Sequence, residues 1–500
     1  MISQAAAGLG TATTGRQIAS RPPLPRGIHR ESRTEMRRLL FGLLLLTPAA
    51  ATAQDTTVIQ GATVIDGTGR NPIANASIVI AGGRIVAIGA TAATPIPAKA
   101  RIIPAHGKFV IPGLMDANVH LVYGILIEFL ARYEDRFEDL VAEAAQVSLA
   151  NGLTTIFDSW GPLGPLVRTR DRIARGEIPG SRLYVAGNII GLTGPFGRDF
   201  NGDAEKTVSK SFVQRIDNAW EEGTGPELMW LTPDSLRRAI RAYATKRMDF
   251  LKYAVSGHTS MEMLMFSPEQ QRVIVEEGHR AGITVQTHTT SVESLRQALE
   301  AGVDLMQHCS ISGRVAIPDA TFELLRSGKG FCAVQSITKA RLEVMTTAVA
   351  AGFPKRVFFG ELIKVQDQNE RRMIAASIPV LLATDAGIMN PDEHDALPDN
   401  MKKDESTDLG RAHFLWFKAM AEKGMKPMDA IMAATSNIAR AYHLDREIGT
   451  LEPGKRADLL ILDADPLADI MNVEKITTVM KDGLVVDRAA LPLKRVLTRP

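Results

Sequence analysis

The sequence predicts a (β/α)8 TIM-type barrel joined to a small β-sandwich domain formed from both chain ends, and two patterns predict it. In the middle of the chain, short apolar strands alternate with amphipathic helical segments. At both ends, β-branched runs are broken by Gly-rich turns and carry no helical period. The chain of 500 residues is long enough for both parts, and its 45% apolar and 23% charged residues are the balance of a soluble globular protein.

Residues 1–35 contain Pro, Gly and Ser without periodicity and are expected to be a disordered upstream extension. "MRRLLFGLLLLTPAAATAQD" then sets Arg37 and Arg38 ahead of the apolar run Leu39–Leu46 and closes on Ala51-Thr52-Ala53. That order is a signal peptide over 36–53, cleaved after Ala53, and it predicts a periplasmic or secreted protein. The run is short of the ~20 apolar residues a membrane span needs, so no span is expected in the mature chain.

The segment 54–112, with "TTVIQGATVIDG" and "ASIVIAGGRIVAIG", is the first part of the β-sandwich. The second part is 437–500, with "IGTLEPGKRADLLILDAD" and "ITTVMKDGLVVD". Between them, 113–436 supplies the barrel. Its first strand runs from Asp116 to His120, and "LTTIFDS", "RLYVAG", "DFLKYAVSG", "ITVQTH", "VDLMQHC", "GFCAVQS" and "IPVLLATDAG" follow. Helical patterns such as "EDLVAEAAQVSLANG", "SPEQQRVIVEEGHRAG" and "SVESLRQALEAG" separate most of them.

The net charge of +2, without a long basic run, excludes a nucleic-acid role. The two cysteines, Cys309 and Cys332, give neither a disulfide framework nor a cysteine zinc knuckle. Any metal falls to His, carboxylate or a less usual donor.

In such a barrel the chemistry lies at the C-terminal strand ends. His120 ends the first strand, Lys252 lies in the fourth, His288 ends the fifth, His308 nearly ends the sixth and Asp385 ends the eighth. Singly, each has a plain structural explanation; Asp385 in "TDAG", for instance, caps a turn. Together they stand at ends the fold brings to one place. Lys252 sits in "FLKYAV", an apolar run of the kind buried in a parallel sheet. A buried ammonium is costly unless paired or neutralised. Either its amine reaches Asp385 or solvent at the mouth, or it reacts with carbon dioxide to give an anionic carbamate that ligates metal.

The ordered motifs "PGLMDANVH", "LKYAVSG", "VQTHTTSVESLRQALEAGVDLMQHC", "LLATDAG" and "IGTLEPGKRADLLILDADP" resemble the metal-dependent amidohydrolase superfamily over Thr56 to Arg488. Lys252 and the spacing of His288 and His308 resemble its imidazolonepropionase-like and prolidase-like branch. The resemblance implies a buried metal on His120 and Asp385, a more exposed one on His288 and His308, and N6-carboxylated Lys252 between them. It implies one or two divalent ions per subunit, zinc first, with cobalt, manganese or iron as the others. It also implies a homo-oligomer.

One position departs from the family: Asn118 stands where the first His of the motif belongs. An amide oxygen is a weaker donor than imidazole, so the site is binuclear with one weak ligand, mononuclear on His288 and His308, or metal-free. Hydrolases of phenylureas and thiocarbamates such as molinate are similar in carrying Asn-x-His and remain active.

The implied reaction is hydrolysis of a C–N bond in an amide, urea or carbamate, with an aryl or lipophilic small molecule as substrate. Metal-activated hydroxide attacks the carbonyl, and Asp385 carries the proton to the departing amine. Tyr123 and His258 are the candidate substrate contacts. The loop 187–230 is long enough to wall the pocket, and Met261, Met263, Leu264, Met265 and Phe266 either line it or pack the fourth helix. The alternatives are a prolidase-like dipeptidase or N-acyl amino acid hydrolase, which needs a cation such as Arg198 or Lys339 for the substrate carboxylate, and a metal-free binding or assembly protein on the same fold.

Overall fold

The computed structural model describes residues 56–498 except 124–125, 198–199, 201, 259–260, 262, 351–353, 397–398, 403 and 406. The expected extension 1–35 and signal peptide 36–53 lie outside the described residues, as does Arg198.

The chain opens with β1 (Thr56–Val64), β2 (Ile73–Ala81), β3 (Arg84–Ala90), β4 (Arg101–Pro104) and β5 (Phe109–Pro112). The central strands are β6 (Leu114–Val119), β7 (Leu153–Asp158), β8 (Arg182–Val185), β9 (Ile189–Ile190), β10 (Phe250–Ala254), β11 (Thr284–His288), β12 (Leu305–Gln307), β13 (Phe331–Val334) and β14 (Val380–Leu382). The chain closes with β15 (Leu459–Leu462), β16 (Ile476–Lys481) and β17 (Leu484–Val485).

The eight terminal strands form one sheet in the order β17-β16-β15-β5-β1-β2-β3, with β4 also on β1. Its two chain ends meet where β15 runs antiparallel to β5. The hydrogen bonding therefore unites these strands in one sheet, where two stacked sheets were expected. The reason is β1, which pairs with β4 through Thr57–Gln60 and with β5 through Thr63–Val64. Ile59, Ile78, Ile85, Val110, Leu459 and Met480 give this sheet its own apolar core.

The central strands form two parallel sheets, β6-β7-β8 and β9 through β14. Their edges are tied together. Asp249 N–H donates to Val185 ahead of β10, and Val119 bridges Ala386 just past β14. This arrangement is consistent with a TIM-type barrel. Every residue of β6, β7, β10, β11, β12 and β14 is buried. Burial on both faces is why these strands read as apolar runs rather than as alternating ones.

The connecting helices begin and end on local signals. Ser267 and Gln270 form a capping box ahead of the helix Pro268–Arg280. Ser291 caps the helix Val292–Ala301, and Gly302 ends it in the left-handed region at φ +81°. No helix among the described residues is long and apolar enough to cross a membrane. Beneath the strands, the Tyr442 hydroxyl lies 3.0 Å from both Ala117 O and Gln286 Oε1.

The cysteines are not idle. Cys309 and Cys332 are joined as a disulfide with their Cα atoms 5.6 Å apart, both buried. Their separation of 23 residues hides the pairing in the sequence, and the adjacency of β12 and β13 creates it.

Candidate active site

At the C-terminal ends of the parallel strands lies a cavity of about 340 Å³. Its lining combines the ionisable His120, Lys252, His288, His308 and Asp385 with the apolar Leu126, Trp160, Ile189 and Phe200. Tyr123 and His258 complete the lining. Every site residue expected from the sequence except Asn118 thus faces one space, and Asn118 touches it through Asp385.

Asp385 is the hub. Its Oδ1 lies 2.8 Å from Asn118 Nδ2, 2.9 Å from His120 Nε2 and 4.0 Å from His308 Nε2. The backbone is shaped to present it: Asp385 and His308 hold φ of +60° and +58°. Such left-handed non-Gly residues cost about 1–3 kcal/mol each and persist where the surroundings over-determine them. Asp116 provides part of that support. Its carboxylate accepts from the Thr384 hydroxyl at 2.6 Å and from the Thr384 and Asn118 amides at 3.1 Å, latching β6 to the end of β14. Gly387 provides another part, since a Cβ there would lie 2.1 Å from Tyr123 Cβ and 2.5 Å from His120 O.

The electrostatics favour lone-pair donors. Burial pushes the Lys252 ammonium down to about 8, against the pull of Asp385 and Asp158. Burial likewise pushes His308 down to about 4 and His288 well below the usual imidazole range, so both rings are neutral at pH 7. Burial raises Asp385, but the His308 and His120 rings and the Lys252 ammonium outweigh it and hold the carboxyl well below its usual range. The site therefore combines one carboxylate with neutral imidazoles.

The sequence reading missed Asp158, which ends β7. Its Oδ2 accepts from Leu121 N–H at 2.7 Å, while its buried Oδ1 has no hydrogen-bond partner. Burial pushes this carboxyl up to about 7 against the charges of His120 and Lys252. Trp160, Ile189, Leu126 and Phe200 were missed as well. Their signal is faint, because they sit in or beside connections where periodicity says nothing about direction.

Other expectations fall away from the cavity. Met263 and Leu264 are exposed, and Met261 packs on the separate cluster of Ile311, Leu362 and Ile363. Met265 and Phe266 pack on the main core, so the methionine-rich stretch does not line the site. Lys339 is an exposed residue 3.9 Å from Glu343.

Among the described residues no three His, Cys, Asp or Glu side chains draw close enough to make a metal-holding group. The donors are gathered, then, but not closed in. Three atoms bear on whether they fit an ion. The buried His288 Nε2 and Asn118 Oδ1 have no hydrogen-bond partner, and such groups cost roughly 1–3 kcal/mol each when left unpaired. Both ring nitrogens of His120 face oxygen acceptors, Trp160 O at 3.3 Å and Asp385 Oδ1 at 2.9 Å. A cation at Nε2 would take the place of the contact to Asp385 there. Imidazole, carboxylate and amide oxygen suit a divalent ion of the zinc to manganese range. The residues present fit such an ion.

Residues 109–486 match the amidohydrolase family. The solved structure of molinate hydrolase is 38% identical, with a TM-score of 0.84 over 89% of this chain and 98% of that one. Phenylurea hydrolase B is 34% identical, with a TM-score of 0.84 over 89% of this chain and all of its own. The ochratoxinase of Aspergillus niger is 25% identical over 457 residues, 88% of either chain.

Proposed function

Because this chain belongs to the amidohydrolase family, we propose that it hydrolyses the C–N bond of an uncharged amide, urea or carbamate bearing an aryl or other lipophilic substituent. The observation that carries this reading is the make-up of the cavity lining, in which five ionisable side chains stand together with four apolar ones. Two similar proteins, molinate hydrolase and phenylurea hydrolase B, carry names of the same substrate class.

In this reading a divalent metal is held by His120, His288, His308, Asp385 and Lys252, with Asn118 as a weak oxygen donor. Zinc is the first choice. Bound there, the ion supplies Lewis acidity to the substrate carbonyl and lowers the pKa of water. Asp385 takes a proton from the attacking water and delivers it to the departing nitrogen. Its multiple hydrogen bonds keep it anionic and aimed while it waits. Lys252, with its amine partly neutral near pH 7, adds carbon dioxide at Nζ, forming an N–C bond and releasing a proton, and so becomes an anionic donor. Neutral His288 and His308 keep their lone pairs available. Tyr123 and His258 contact the substrate. The reading extends to location: the order of basic, apolar and small residues over 36–53 supports a signal peptide and a periplasmic or secreted enzyme.

A prolidase-like or N-acyl amino acid hydrolase would need a cation for the substrate carboxylate. Among the described lining residues there is no arginine, and Lys252 is the only lysine. The test is amine release from anilides, phenylureas, carbamates and acyl dipeptides by zinc- or cobalt-loaded protein, with metal content measured alongside. Neutral aryl substrates should be cleaved, and Asp385→Ala should abolish turnover while most metal stays bound. Protein that retains far less than one ion per chain would be the binding or assembly alternative.

A further inference from the structure

The apolar part of the cavity is built with a rigidity that simple packing does not require. Trp160 follows β7, is only 5% exposed, and yet faces the cavity. Its indole N–H donates to Asn188 Oδ1 at 3.1 Å. Asn188 is itself held on two sides: its amide donates to Leu192 O at 2.9 Å, and its backbone N–H donates to the Tyr243 hydroxyl at 3.1 Å. Tyr243 passes the restraint on to Ala186 O at 3.0 Å. The indole N–H is therefore spent on the protein, and what the ring offers the cavity is carbon surface. Phe200 lies almost parallel to it, with centroids 4.6 Å apart and planes 20° apart. Phe200 in turn meets the His258 ring at 4.9 Å, and His258 stacks on His288 at 5.5 Å and 29°. A run of rings thus leads from Trp160 to the imidazoles beside Asp385.

Resting on the proposed reaction, we infer that Trp160 and Phe200 are the specificity wall of the site, and that they select a flat, uncharged aryl substituent placed over β7 and β9. Ile189, the register partner of Lys252, lines the same cavity. A carboxylate held against this surface would lose its water and meet no cation among the described lining residues, a heavy cost. A phenyl ring gains ring–ring contact there in addition to burial. Because the Trp160 indole is held beforehand through Asn188, little of that gain is lost to ordering its side chain on binding. His120 meets Trp160 twice, through the tryptophan carbonyl 3.3 Å from Nδ1 and edge-to-face with the indole at 6.1 Å, and only the carbonyl contact survives substitution of the side chain. Metal content is therefore read beside selectivity in every variant.

The experiment compares N-phenyl, N-cyclohexyl and N-methyl members of one urea series on metal-loaded wild type, Trp160→Ala, Trp160→Phe and Phe200→Ala. Both kcat/KM and calorimetric binding to the Asp385→Asn form of each protein are read. The wild type should rank phenyl above cyclohexyl above methyl. The phenyl-to-methyl ratio should fall by roughly tenfold in Trp160→Ala and Phe200→Ala, with Trp160→Phe keeping most of it, and metal content should be unchanged. Trp160→Leu, which fills the space without a ring, keeps the test decisive if the alanine variants fail to fold: the preference for phenyl over cyclohexyl should be lost there. A ratio that stays constant through the variants, cyclohexyl equal to phenyl, or tighter binding of an N-carboxyalkyl urea overturns the wall. If no urea is hydrolysed but the binding ratio still depends on Trp160 and Phe200, the wall stands and the proposed reaction falls.

Discussion

Asn118→Asp is the sharpest probe of how Asn118 meets Asp385. The change keeps the volume and puts a second carboxylate where Asn118 Nδ2 now lies 2.8 Å from Asp385 Oδ1. Two ionised carboxylates about 3 Å apart repel by roughly 5–6 kcal/mol at an effective dielectric near 20. Keeping a proton on one of them costs about 4 kcal/mol at pH 7 for an ordinary carboxyl. The pair takes the cheaper route and shares a proton. Metal-free Asn118→Asp should therefore be less stable than wild type by about 4 kcal/mol at pH 7. The sign follows from the raised folded pKa: above pH 4 the unfolded carboxyl ionises while the folded one cannot. The gap should shrink to about 1–2 kcal/mol at pH 5 and vanish below pH 4. A divalent ion between the carboxylates reverses the repulsion, so zinc should stabilise the variant more than the wild type. Urea unfolding of chelator-treated and zinc-supplemented proteins at pH 5 and 7 measures all four terms. Equal stability of the metal-free proteins at pH 7, or an equal zinc increment in both, refutes the reasoning.

Two further substitutions test the frame around the site. Gly387→Ala forces a Cβ onto Tyr123 and the His120 carbonyl; a loss of about 1–3 kcal/mol in urea unfolding, with a larger loss of turnover, is expected, and an unchanged midpoint would show that the loop yields freely. His413 lies buried far along the chain from the cavity, its Nε2–H on Asn151 O at 3.0 Å, and burial pushes its pKa down to about 4. The unfolded imidazole takes its proton near pH 6.5 and the folded one only near 4, so falling pH through that window should remove about 3 kcal/mol of stability. His413→Gln should flatten that part of the stability–pH curve, and an unaltered slope would assign the proton uptake elsewhere.

The parts of this protein legible in its sequence are those where backbone pattern and chemistry coincide. The parallel strands read clearly because each is buried on both faces, and His288 and Asp385 stand out as polar residues closing apolar runs. Asp158 closes "LTTIFDS" in the same way, but without a following motif it looks like a turn cap. Trp160, Asn188 and Phe200 lie in connections whose course depends on distant partners, such as Tyr243 for Asn188. No local period encodes those meetings. The methionine-rich stretch left two readings open for the same reason: composition showed apolar side chains, while the path of the loop decided that Met265 and Phe266 pack on the core and Met263 faces solvent. The shared sheet of the chain ends was legible as strands, but its single-sheet connectivity depends on β1 serving two partners.

The disulfide beside His308 has a consequence for the choice of cation. Both sulfur atoms of the chain's two cysteines are spent on one another, one of them a single residue from His308. Copper(I) and other soft ions are won by thiolates, and this protein offers none. Competition for the cavity is left to nitrogen and oxygen, on which harder divalent ions hold their own.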